Sequence, residues 1–400
     1  MKILQLCPRV PFPPVDGGAI AMVSMREGLE ENGCTVKVFC FNTTKHPVRI
    51  DGLDQSLVRR LGLESVDVDN RVRPINAFLN LVRNKSYHLS RFSSKAFEGK
   101  LEEILKRERF DAVILESIFM QEAIPVIRKM SSAPVILRAH NVEHAIWQGL
   151  AATVKNPWKR WYLKRLAGQL EREEKRILSE VDGIIAITED DARTIESLIS
   201  KVPVFVSPTG IHVENYKWNP DPNPLIVAHI GAMDWQPNVE GIRWFLNEIW
   251  PKVFAVIPEA RLKLAGKNMP DSLMQYGKAE VSVQGFVSDA HEFLFEAGVV
   301  VIPLLNGSGM RIKLLESMAL GKAIVSTGIG CEGVPVRNGN EIRIADTSQD
   351  FADALIDLLR NHDLQSQMRV KARELVAERF DNRSIGSGTV RFIGRLSKLN

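Results

Sequence analysis

Residues 299–322, VVVIPLLNGSGMRIKLLESMALGK, hold the densest group of side chains that could bind or transfer a charged group. The apolar start predicts a strand, a turn follows at 306–309, and the later apolar spacing predicts a helix over about 310–320. Arg311 falls in the first turn of that helix. A cation there opposes the helix dipole unless an anion lies between it and the backbone amides, so its position favours an anion site.

Lys313 and Glu316 lie three residues apart and therefore share one face of the predicted helix. Two cations beside the amides of Ser308 and Gly309 suit a diphosphate, and a carboxylate on the same face suits the two hydroxyls of a ribose. Together these groups predict a nucleotide site. The alternative, in which both cations are merely solvated surface charges, stays open at this stage.

Two more strand-to-helix turns could also bind phosphate, because ligands of open α/β sheets bind beyond the carboxyl ends of the strands. Gly17 and Gly18 follow the strand-like run KILQLC, and the helix after them is expected to open at Ala19. Gly231 follows the run LIVAHI. Glycine lets an anion approach the backbone closely, so these three glycines are predicted to line a phosphate site.

Two loops complete the predicted nucleotide site. The loop formed by Gly285, Phe286 and Val287 is expected to stack against the base. Residues 328–333 spell G-x-G-x-x-G after a strand, but a dinucleotide-binding turn must open a helix and Val-Pro-Val follows instead. We therefore predict a loop at this point, with Glu332 lining the nucleotide site.

The length of 400 residues exceeds what one hydrophobic core usually serves, so we expect two domains. A hydrophobic fraction of 45% and a charged fraction of 25% are typical of globular chains and exclude disordered, collagen-like and disulfide-scaffold proteins. The formal net charge of +4 is far below that of a dedicated nucleic-acid binder. No nucleic-acid partner is expected.

Short β-branched runs alternate with helical patterns along the chain, and their lack of strict alternation suits parallel strands covered on both faces. We predict an α/β protein with two doubly wound, Rossmann-like domains. The domains are placed at 1–206 and 207–381, and a C-terminal helix over 382–400 is expected to join the first. The predicted strands are KILQLC, TVKVFCF, DAVILE, PVILRA, GIIAIT, PVFVS, LIVAHIG, RLKLAG, VSVQGF, VVVIPL, AIVST and EIRIA.

With these motifs the sequence resembles the GT-B glycosyltransferases, specifically the retaining group 1 enzymes of family four. The matching segments cover both halves and are PPVDGGA, RAHNVEH, SPTGIHVENY, HIGAMDWQPNVEGIRWF, VSVQGFVSD and NGSGMRIKLLESMALGKAIVST. The resemblance implies two domains facing a cleft. It also implies transfer of a sugar from a nucleotide-diphosphate donor with retention at the anomeric carbon, and without a metal or another cofactor.

The resemblance also implies roles for single residues. Glu316 aligns with the second of two family glutamates and is expected to bind the ribose, whereas Ser308 replaces the first, so that the sugar contact falls to Ser308 or to loop amides. Arg311 and Lys313 are expected to hold the diphosphate, and they take the place of cations that many members carry after the first strand of the second domain. His140 aligns with a histidine that contacts the sugar, with acid/base catalysis as the alternative. We predict that His140, Arg311 and Lys313 are the catalytic residues.

The acceptor is expected to be a hydroxyl of a glycan or of a lipid-linked molecule in cell-surface polysaccharide synthesis. Two other functions stay open on the same fold. A nucleotide-sugar epimerase would act on the donor alone, and a non-catalytic protein would bind a nucleotide or glycan without turnover. The replacement of the first family glutamate by Ser308 is the only support for the non-catalytic alternative.

Two motifs imitate metal sites. His140 to His144 spell H-x-x-E-H, but a zinc protease needs both histidines on one helix, and the first follows a strand with no third ligand in evidence. Asp67-Val68-Asp69 imitates the D-x-D of the other glycosyltransferase architecture, and a solvated loop or strand edge is the better interpretation. No metal site is predicted.

The segment from Lys155 to Arg176 is basic at first, with Trp158, Trp161 and Tyr162 interleaved. Such a helix could lie on an anionic membrane, or it could be solvated with its tryptophans packed inward, and both interpretations stay open. We find no secretory signal and no apolar run of membrane-spanning length. Four scattered cysteines suit buried, reduced thiols. The expected location is the cytoplasm, with peripheral contact at the inner face of the membrane as an option.

Overall fold

The computed structural model of the protein describes residues 1–14, 16–71, 73, 80, 86–307 and 309–398. The chain divides into two compact units, Met1–Gly210 with Asn382–Asn400, and Ile211–Asp381. The predicted boundary lies after residue 206, where the last strand of the first unit ends.

Seven parallel strands form the sheet of the first unit, in the order β3-β2-β1-β4-β5-β6-β7. Successive side chains of β1 enter two separate cores, with Leu4 and Leu6 in one and Ile3 and Cys7 in the other. Both faces of the sheet are therefore covered, as expected for a parallel sheet. The strands are β1 Lys2–Cys7, β2 Thr35–Thr43, β3 Glu64–Val68, β4 Ala112–Leu115, β5 Val135–Ala139, β6 Gly183–Ala186 and β7 Val204–Val206.

Helices precede and follow these strands. They are α1 Gly17–Glu31, α2 Gln55–Leu61, α3 Tyr87–Ser90, α4 Lys95–Arg107, α5 Ala123–Met130, α6 Glu143–Thr153, α7 Pro157–Glu180 and α8 Glu189–Leu198, and the C-terminal α16 Asn382–Leu396. α16 packs on α1 at a pair of glycines, because a Cβ on Gly386 would lie 2.2 Å from the carbonyl oxygen of Gly28. Ser24 of α1 also donates to the Asn382 side chain at 2.8 Å.

Six parallel strands form the sheet of the second unit, in the order β10-β9-β8-β11-β12-β13. Here too the two faces have separate cores, with Val299 and Val301 of β11 in one and Val300 and Ile302 in the other. The strands are β8 Asn223–Ile230, β9 Arg261–Ala265, β10 Val281–Val283, β11 Ala297–Ile302, β12 Ala323–Ser326 and β13 Arg343–Ile344. The helices are α9 Gln236–Trp244, α10 Trp250–Val256, α11 Asp271–Met274, α12 Ala290–Phe295, α13 Ile312–Ala319, α14 Ser348–Arg360 and α15 His362–Arg379, with a π-helical turn Phe245–Ile249 between α9 and α10.

The predicted fold class, two Rossmann-like parallel sheets covered by helices, is confirmed, and all twelve predicted strands are present. The missed strand is β3, at the edge of the first sheet, where most residues are only half-buried. Its sequence ESVDV is mostly polar and offers no apolar run. Asp67 and Val68 belong to β3, so the D-x-D imitation is a strand edge as predicted.

Two helix starts differ from the prediction. α1 begins at Gly17 and not at Ala19, because the side chain of Asp16 caps it by accepting from the Ala19 amide at 3.1 Å. α13 begins at Ile312 and not at residue 310, because Gly309 has a φ of 84° and the turn continues to Arg311. Cys7, Cys34, Cys40 and Cys331 are buried free thiols, as expected. Within the described part of the chain, no helix combines the length and apolarity needed to cross a membrane.

Candidate functional site

In the second unit, Lys313 reaches from α13 to the turn that follows β8. Its Nζ donates to Asn238 Oδ1 of α9 at 2.7 Å, and Asn238 Nδ2 donates to the carbonyl of Ala232 at 2.7 Å. A Cβ on Gly231 would lie 2.9 Å from Asn238 Nδ2 and 3.2 Å from Lys313 Nζ, so a larger residue would have to displace these side chains. The structure therefore brings the predicted residues Gly231 and Lys313 together beyond the carboxyl ends of β8 and β11.

Arg311 occupies the residue before α13 and not its first turn, so the prediction of its helical position is wrong. Its guanidinium lies 5.3 Å from the ring centroid of Trp235, and a Cβ on Gly307 would lie 2.9 Å from Nη2. Glu332 approaches Arg311 Nη2 with an oxygen at 3.9 Å, which brings another predicted residue into this region. We call Gly231, Trp235, Asn238, Arg311 and Lys313 the Lys313 pocket.

The electrostatics of the Lys313 pocket favour an anion. Burial, and then the positive charge of Arg311, lower the pKa of Lys313 to about 7. Burial and then Lys313 lower the pKa of His229 in β8 to about 3, so this imidazole is neutral and adds no charge. A bound anion would stabilise the ammonium form of Lys313, because an opposite charge favours the charged state.

Glu316 lies one turn after Lys313 and has its own partners. The hydroxyl of Tyr216 donates to Glu316 Oε1 at 3.4 Å, and His291 Nε2 lies 3.9 Å from the same oxygen. The hydrogen bond to Glu316 raises the pKa of His291. The carboxylate is 24% exposed and can still accept from a ligand hydroxyl.

The predicted base-stacking loop is open to solvent at Phe286, whose side chain is 71% exposed. Gly285 has a φ of 66°, which favours glycine, and its carbonyl accepts from the Gly266 amide at 2.7 Å. Val287 packs on the core of the second unit. The base contact stays a prediction. Ser308 lies outside the described residues.

In the first unit, His140 follows β5 directly and Glu116 follows the neighbouring strand β4. The carboxyl ends of parallel strands meet at one edge of the sheet, so the two side chains come together. His140 Nε2 lies 2.6 Å from Glu116 Oε2. Glu116 is wholly buried, whereas 16% of the His140 side chain is exposed.

Two more side chains hold Glu116. Gln5 Nε2 donates to Oε1 at 2.6 Å, and Arg138 Nη1 donates to Oε2 at 3.2 Å and to the carbonyl of Ala21 at 2.7 Å. Burial alone would raise the pKa of Glu116, but the charge of Arg138 and the bond to His140 outweigh burial and lower it. We call Gln5, Glu116, Arg138 and His140 the Glu116 cluster; it is buried and balanced in charge.

The Glu116 cluster fixes the tautomer of His140. Burial lowers the pKa of His140 more than the bond to Glu116 raises it, so the ring is neutral at neutral pH. An ionised carboxylate only accepts hydrogen bonds, so His140 Nε2 carries the hydrogen and Nδ1 is an acceptor. His140 can therefore accept a hydrogen bond from a hydroxyl group.

The predicted glycines of the first unit open α1, and both are exposed. Arg9 donates from both terminal nitrogens to Asp16, the cap of α1, with Nη1 to Oδ2 at 2.7 Å. A Cβ on Gly18 would lie 3.1 Å from Arg9 Nη2. Arg9 is thus already paired with the Asp16 carboxylate at the start of α1, and the anion site at Gly17 and Gly18 stays a prediction.

The H-x-x-E-H motif is split between two partners. His144 Nδ1 lies 2.7 Å from Glu174 Oε2, whereas His140 contacts Glu116. Glu174 also accepts from the amides of Glu143 and His144, so it caps α6. In the described ranges no group of three His, Cys, Asp or Glu side chains is placed to hold a metal ion.

Sequence reasoning missed Glu116, Asn238 and Trp235. Glu116 had a usable signal, since it is a carboxylate at the end of the apolar run DAVILE, and the histidine follows the next strand. Asn238 had none, because its contact with Lys313 depends on the distance between α9 and α13.

Two family models match the chain. The model described as "Glycosyltransferase Family 4" matches residues 15–215, just over half of the chain, and the model described as "Glycosyl transferases group 1" matches residues 224–361. The chain belongs to glycosyltransferase family 4. Glu116 and His140 fall inside the first matched segment of this family 4 chain, and the whole Lys313 pocket falls inside the second.

Three relatives span the family 4 chain. The "Uncharacterized 44.6 kDa protein in cps region" of Klebsiella pneumoniae is 23% identical over 402 residues, covering 96% of this chain and 98% of the relative. Sucrose-phosphate synthase from Thermosynechococcus elongatus superposes with a TM-score of 0.70 at 17% identity, covering 100% of both chains. Anabaena Alr3699/HepE in complex with UDP-glucose gives 0.66 at 14% identity, covering 99% of this chain and 100% of that one. At these identities the solved structures show the fold, and the predicted GT-B fold class is confirmed.

Proposed function

We propose that this chain is a retaining glycosyltransferase that moves a sugar from a nucleotide-diphosphate sugar to a hydroxyl of a glycan or lipid-linked acceptor, in cell-surface polysaccharide synthesis. The Lys313 pocket carries the proposal, because two cations converge at the start of α13 and Lys313 is held by the neutral amide of Asn238. The UDP-glucose bound by Alr3699/HepE supports the donor class. The cps region of the Klebsiella relative supports the pathway.

The reaction develops negative charge on the leaving diphosphate as the bond between the anomeric carbon and the phosphate oxygen breaks. Arg311 and Lys313 stabilise this charge, and fixed cations of this kind lower a barrier because they need no reorganisation. The amides of Gly231 and Gly309 lie where the diphosphate approaches the backbone. On this proposal Ser308 takes the place of a sugar-contacting carboxylate, and the two cations make a metal unnecessary.

A phosphate oxygen of the leaving group accepts the proton of the acceptor hydroxyl on the same face of the sugar. The new bond therefore forms on the side that the diphosphate leaves, which gives retention. Glu316 accepts from the ribose hydroxyls, the loop of Gly285, Phe286 and Val287 covers the base, and Glu332 lines the nucleotide beside Arg311.

In the first unit, His140 Nδ1 accepts a hydrogen bond from a sugar hydroxyl, because the Glu116 cluster keeps the hydrogen on Nε2. The amides of Gly17 and Gly18 at the start of α1 receive an anionic oxygen of a substrate. The proposal places the protein in the cytoplasm, where it works at the inner face of the membrane when the acceptor is lipid-linked.

A thermal-shift panel of UDP, GDP, ADP and their sugars tests the donor. A nucleotide that binds only the folded protein stabilises it by about 2.7 kcal/mol at 100 times its dissociation constant, so one of them should raise the melting temperature. The matching sugar nucleotide is then incubated with chelator and acceptor, and NMR of the product should show the donor's anomeric configuration. A rearranged donor without acceptor would indicate an epimerase. A thermal shift without turnover would indicate a non-catalytic binder.

A further inference from the structure

Two tryptophans of α7 project into solvent. Trp158 is 81% exposed and Trp161 is 60% exposed, whereas the other five tryptophans of the chain are at most 37% exposed. Large aromatic side chains are mostly buried in proteins, so two neighbouring exposed ones mark a contact surface. The alternative of the sequence analysis, in which these tryptophans pack inward, is wrong.

The helix geometry separates the exposed face from the packed one. Leu163, Ala167 and Leu170 are buried and repeat at the spacing of one helix face. At about 100° for each residue, Trp158 and Trp161 lie roughly 140–160° away from Leu163, on the outward side. We call Trp158 and Trp161 the tryptophan face of α7.

The charge around the tryptophan face has one sign. Residues 155–170 carry five cations and no acid, namely Lys155, Lys159, Arg160, Lys164 and Arg165. The chain as a whole carries +4, so the rest of it sums to −1. All five are exposed, and within the described ranges none of them makes an ion pair. The acids of α7 are confined to its second half, from Glu171 onward.

The neighbouring helix α6 adds apolar side chains near the same end. Ile146 is 37% exposed and Leu150 is 46% exposed, and they lie one turn apart on α6. α6 starts three residues after His140 and has 11 residues, so its far end lies roughly 16 Å along the helix from the His140 edge. The apolar end of α6 and the tryptophan face therefore flank the short connection between the two helices.

We propose that the tryptophan face and its five cations dock on an anionic lipid bilayer. Tryptophan prefers the headgroup level of a membrane, where its ring is apolar and its indole N–H meets water, and clustered Lys and Arg are attracted to anionic headgroups. A peripheral helix binds when both are present. The exposed aliphatic side chains of Ile146 and Leu150 near the same end favour a lipid bilayer over a soluble polyanion, because acyl chains can bury them. Only one consequence of the docking, the presentation of a lipid-linked acceptor to His140, rests on the proposed function.

Flotation of the purified full-length protein tests the docking. Vesicles of phosphatidylcholine are compared with vesicles of phosphatidylcholine and phosphatidylglycerol in equal parts, without donor or acceptor. The wild-type protein should float with the anionic vesicles only, and added salt should weaken the binding. The Lys159→Gln/Arg165→Gln variant should bind about 30-fold more weakly, at about fivefold for each cation, and Trp158→Ala/Trp161→Ala about tenfold more weakly or worse.

The Arg59→Gln/Arg60→Gln variant is the matched control, since it removes two exposed cations of α2 in the same unit. It should float like the wild type, and all three variants should keep the wild-type melting temperature within a few degrees because the replaced side chains are exposed. In vesicles with brominated acyl chains, tryptophan fluorescence should be quenched in the wild type and not in Trp158→Ala/Trp161→Ala.

Three results would overturn the docking: no flotation of the wild type, equal flotation of the tryptophan variant, or equal flotation with uncharged vesicles. Binding to single-stranded DNA without flotation would assign the surface to nucleic acid and would also overturn it. Because the assay contains no substrates, its failure leaves the proposed transfer reaction untouched. A protein that floats but transfers no sugar would reject the reaction and keep the docking.

Discussion

The Glu116 cluster and the Lys313 pocket both lie beyond the carboxyl ends of parallel strands, but they differ in charge balance. In the Glu116 cluster one carboxylate faces one guanidinium and a neutral imidazole, at distances of 2.6–3.2 Å. In the Lys313 pocket the charge of Arg311 acts on Lys313, and the carboxylate that Glu332 offers to Arg311 is 3.9 Å away and 44% exposed. The charges of the first group cancel without a ligand, whereas the second gains from an anion.

This difference separates two kinds of functional residue. A balanced buried group holds a side chain in one orientation, and its loss should appear as lost stability. A pocket with excess positive charge costs stability until its ligand arrives, and its loss should appear as lost binding. The two kinds can therefore be told apart by measuring both quantities on matched variants.

The largest expected effect on stability is that of Glu116→Gln. The substitution leaves Arg138 wholly buried without its carboxylate, and breaking a buried pair costs about 3–5 kcal/mol. In a unit of this size the melting temperature should fall by roughly 6–20 °C, which differential scanning calorimetry measures. The control is Glu103→Gln, whose carboxylate is 63% exposed in α4 and should change little. An unchanged melting temperature for Glu116→Gln would show that the cluster is not a balanced unit.

The opposite pattern is expected for Lys313→Met. Methionine removes a cation from the pocket at similar length, so the melting temperature should stay the same or rise. The turnover should fall about 100- to 1,000-fold, the loss of about 2.7–4 kcal/mol that is typical when one preorganised charge-stabilising group is removed, and the affinity for the donor nucleotide should fall as well. Calorimetric titration and initial rates measure the two effects.

Lys322→Met is the matched control for Lys313→Met. Lys322 is also a buried lysine whose pKa burial lowers to about 7, and it lies just beyond the other end of α13, where its Nζ donates to the carbonyl of Phe295 at 2.8 Å. Its replacement should leave nucleotide affinity unchanged. Equal losses of affinity in both variants would mean that α13 is merely disturbed, and the assignment of Lys313 to the diphosphate would be wrong.

The sequence predicted the fold well because each core strand is a short, mostly apolar run. Every residue of β4, β5, β6, β11 and β12 is buried, and these runs stand out in the sequence. β3 was not predicted because it lies at a sheet edge, where polar residues are tolerated and the strand has no apolar run.

The residues of the candidate site were predictable where their positions depend on neighbouring residues in the chain. Glycines after strands and two cations beside a turn can be read directly, and the structure brings Gly231 and Lys313 together. The partners that set the chemistry could not be read, because Glu116 meets His140 across strands and Asn238 meets Lys313 across helices. Such contacts depend on sheet order and helix packing, which the chain specifies only as a whole.

The smallest expected effect is a dependence of donor affinity on pH. Lys313 should titrate near neutral pH and His140 should not, so a change of pH tests the difference between the two regions without a substitution. The pKa of Lys313 is lowered to about 7 in the free protein, and a bound diphosphate raises it again. The affinity for UDP should therefore be full below pH 7 and should fall by about tenfold for each pH unit above it, since one pKa unit corresponds to a factor of ten in binding. Folding stability should change in the opposite direction. The unfolded chain binds the additional proton between the lowered pKa and the ordinary value of 10.5, so this lysine's contribution to stability rises with pH in that window.

Calorimetric titration of UDP at about pH 7.5 and pH 8.5 measures the effect, in a range where the phosphate itself, with a second pKa of about 6, no longer titrates. Titrations in two buffers of different ionisation enthalpy should detect proton uptake on binding. Lys313→Met should bind weakly at both pH values with no proton uptake, whereas the Glu103→Gln control should behave like the wild type. His140 adds no step in this range, because its ring is already neutral beside Glu116. A wild-type affinity that does not change with pH would place the diphosphate away from Lys313, and the contrast between a charge-balanced cluster and an anion-binding pocket would then fail.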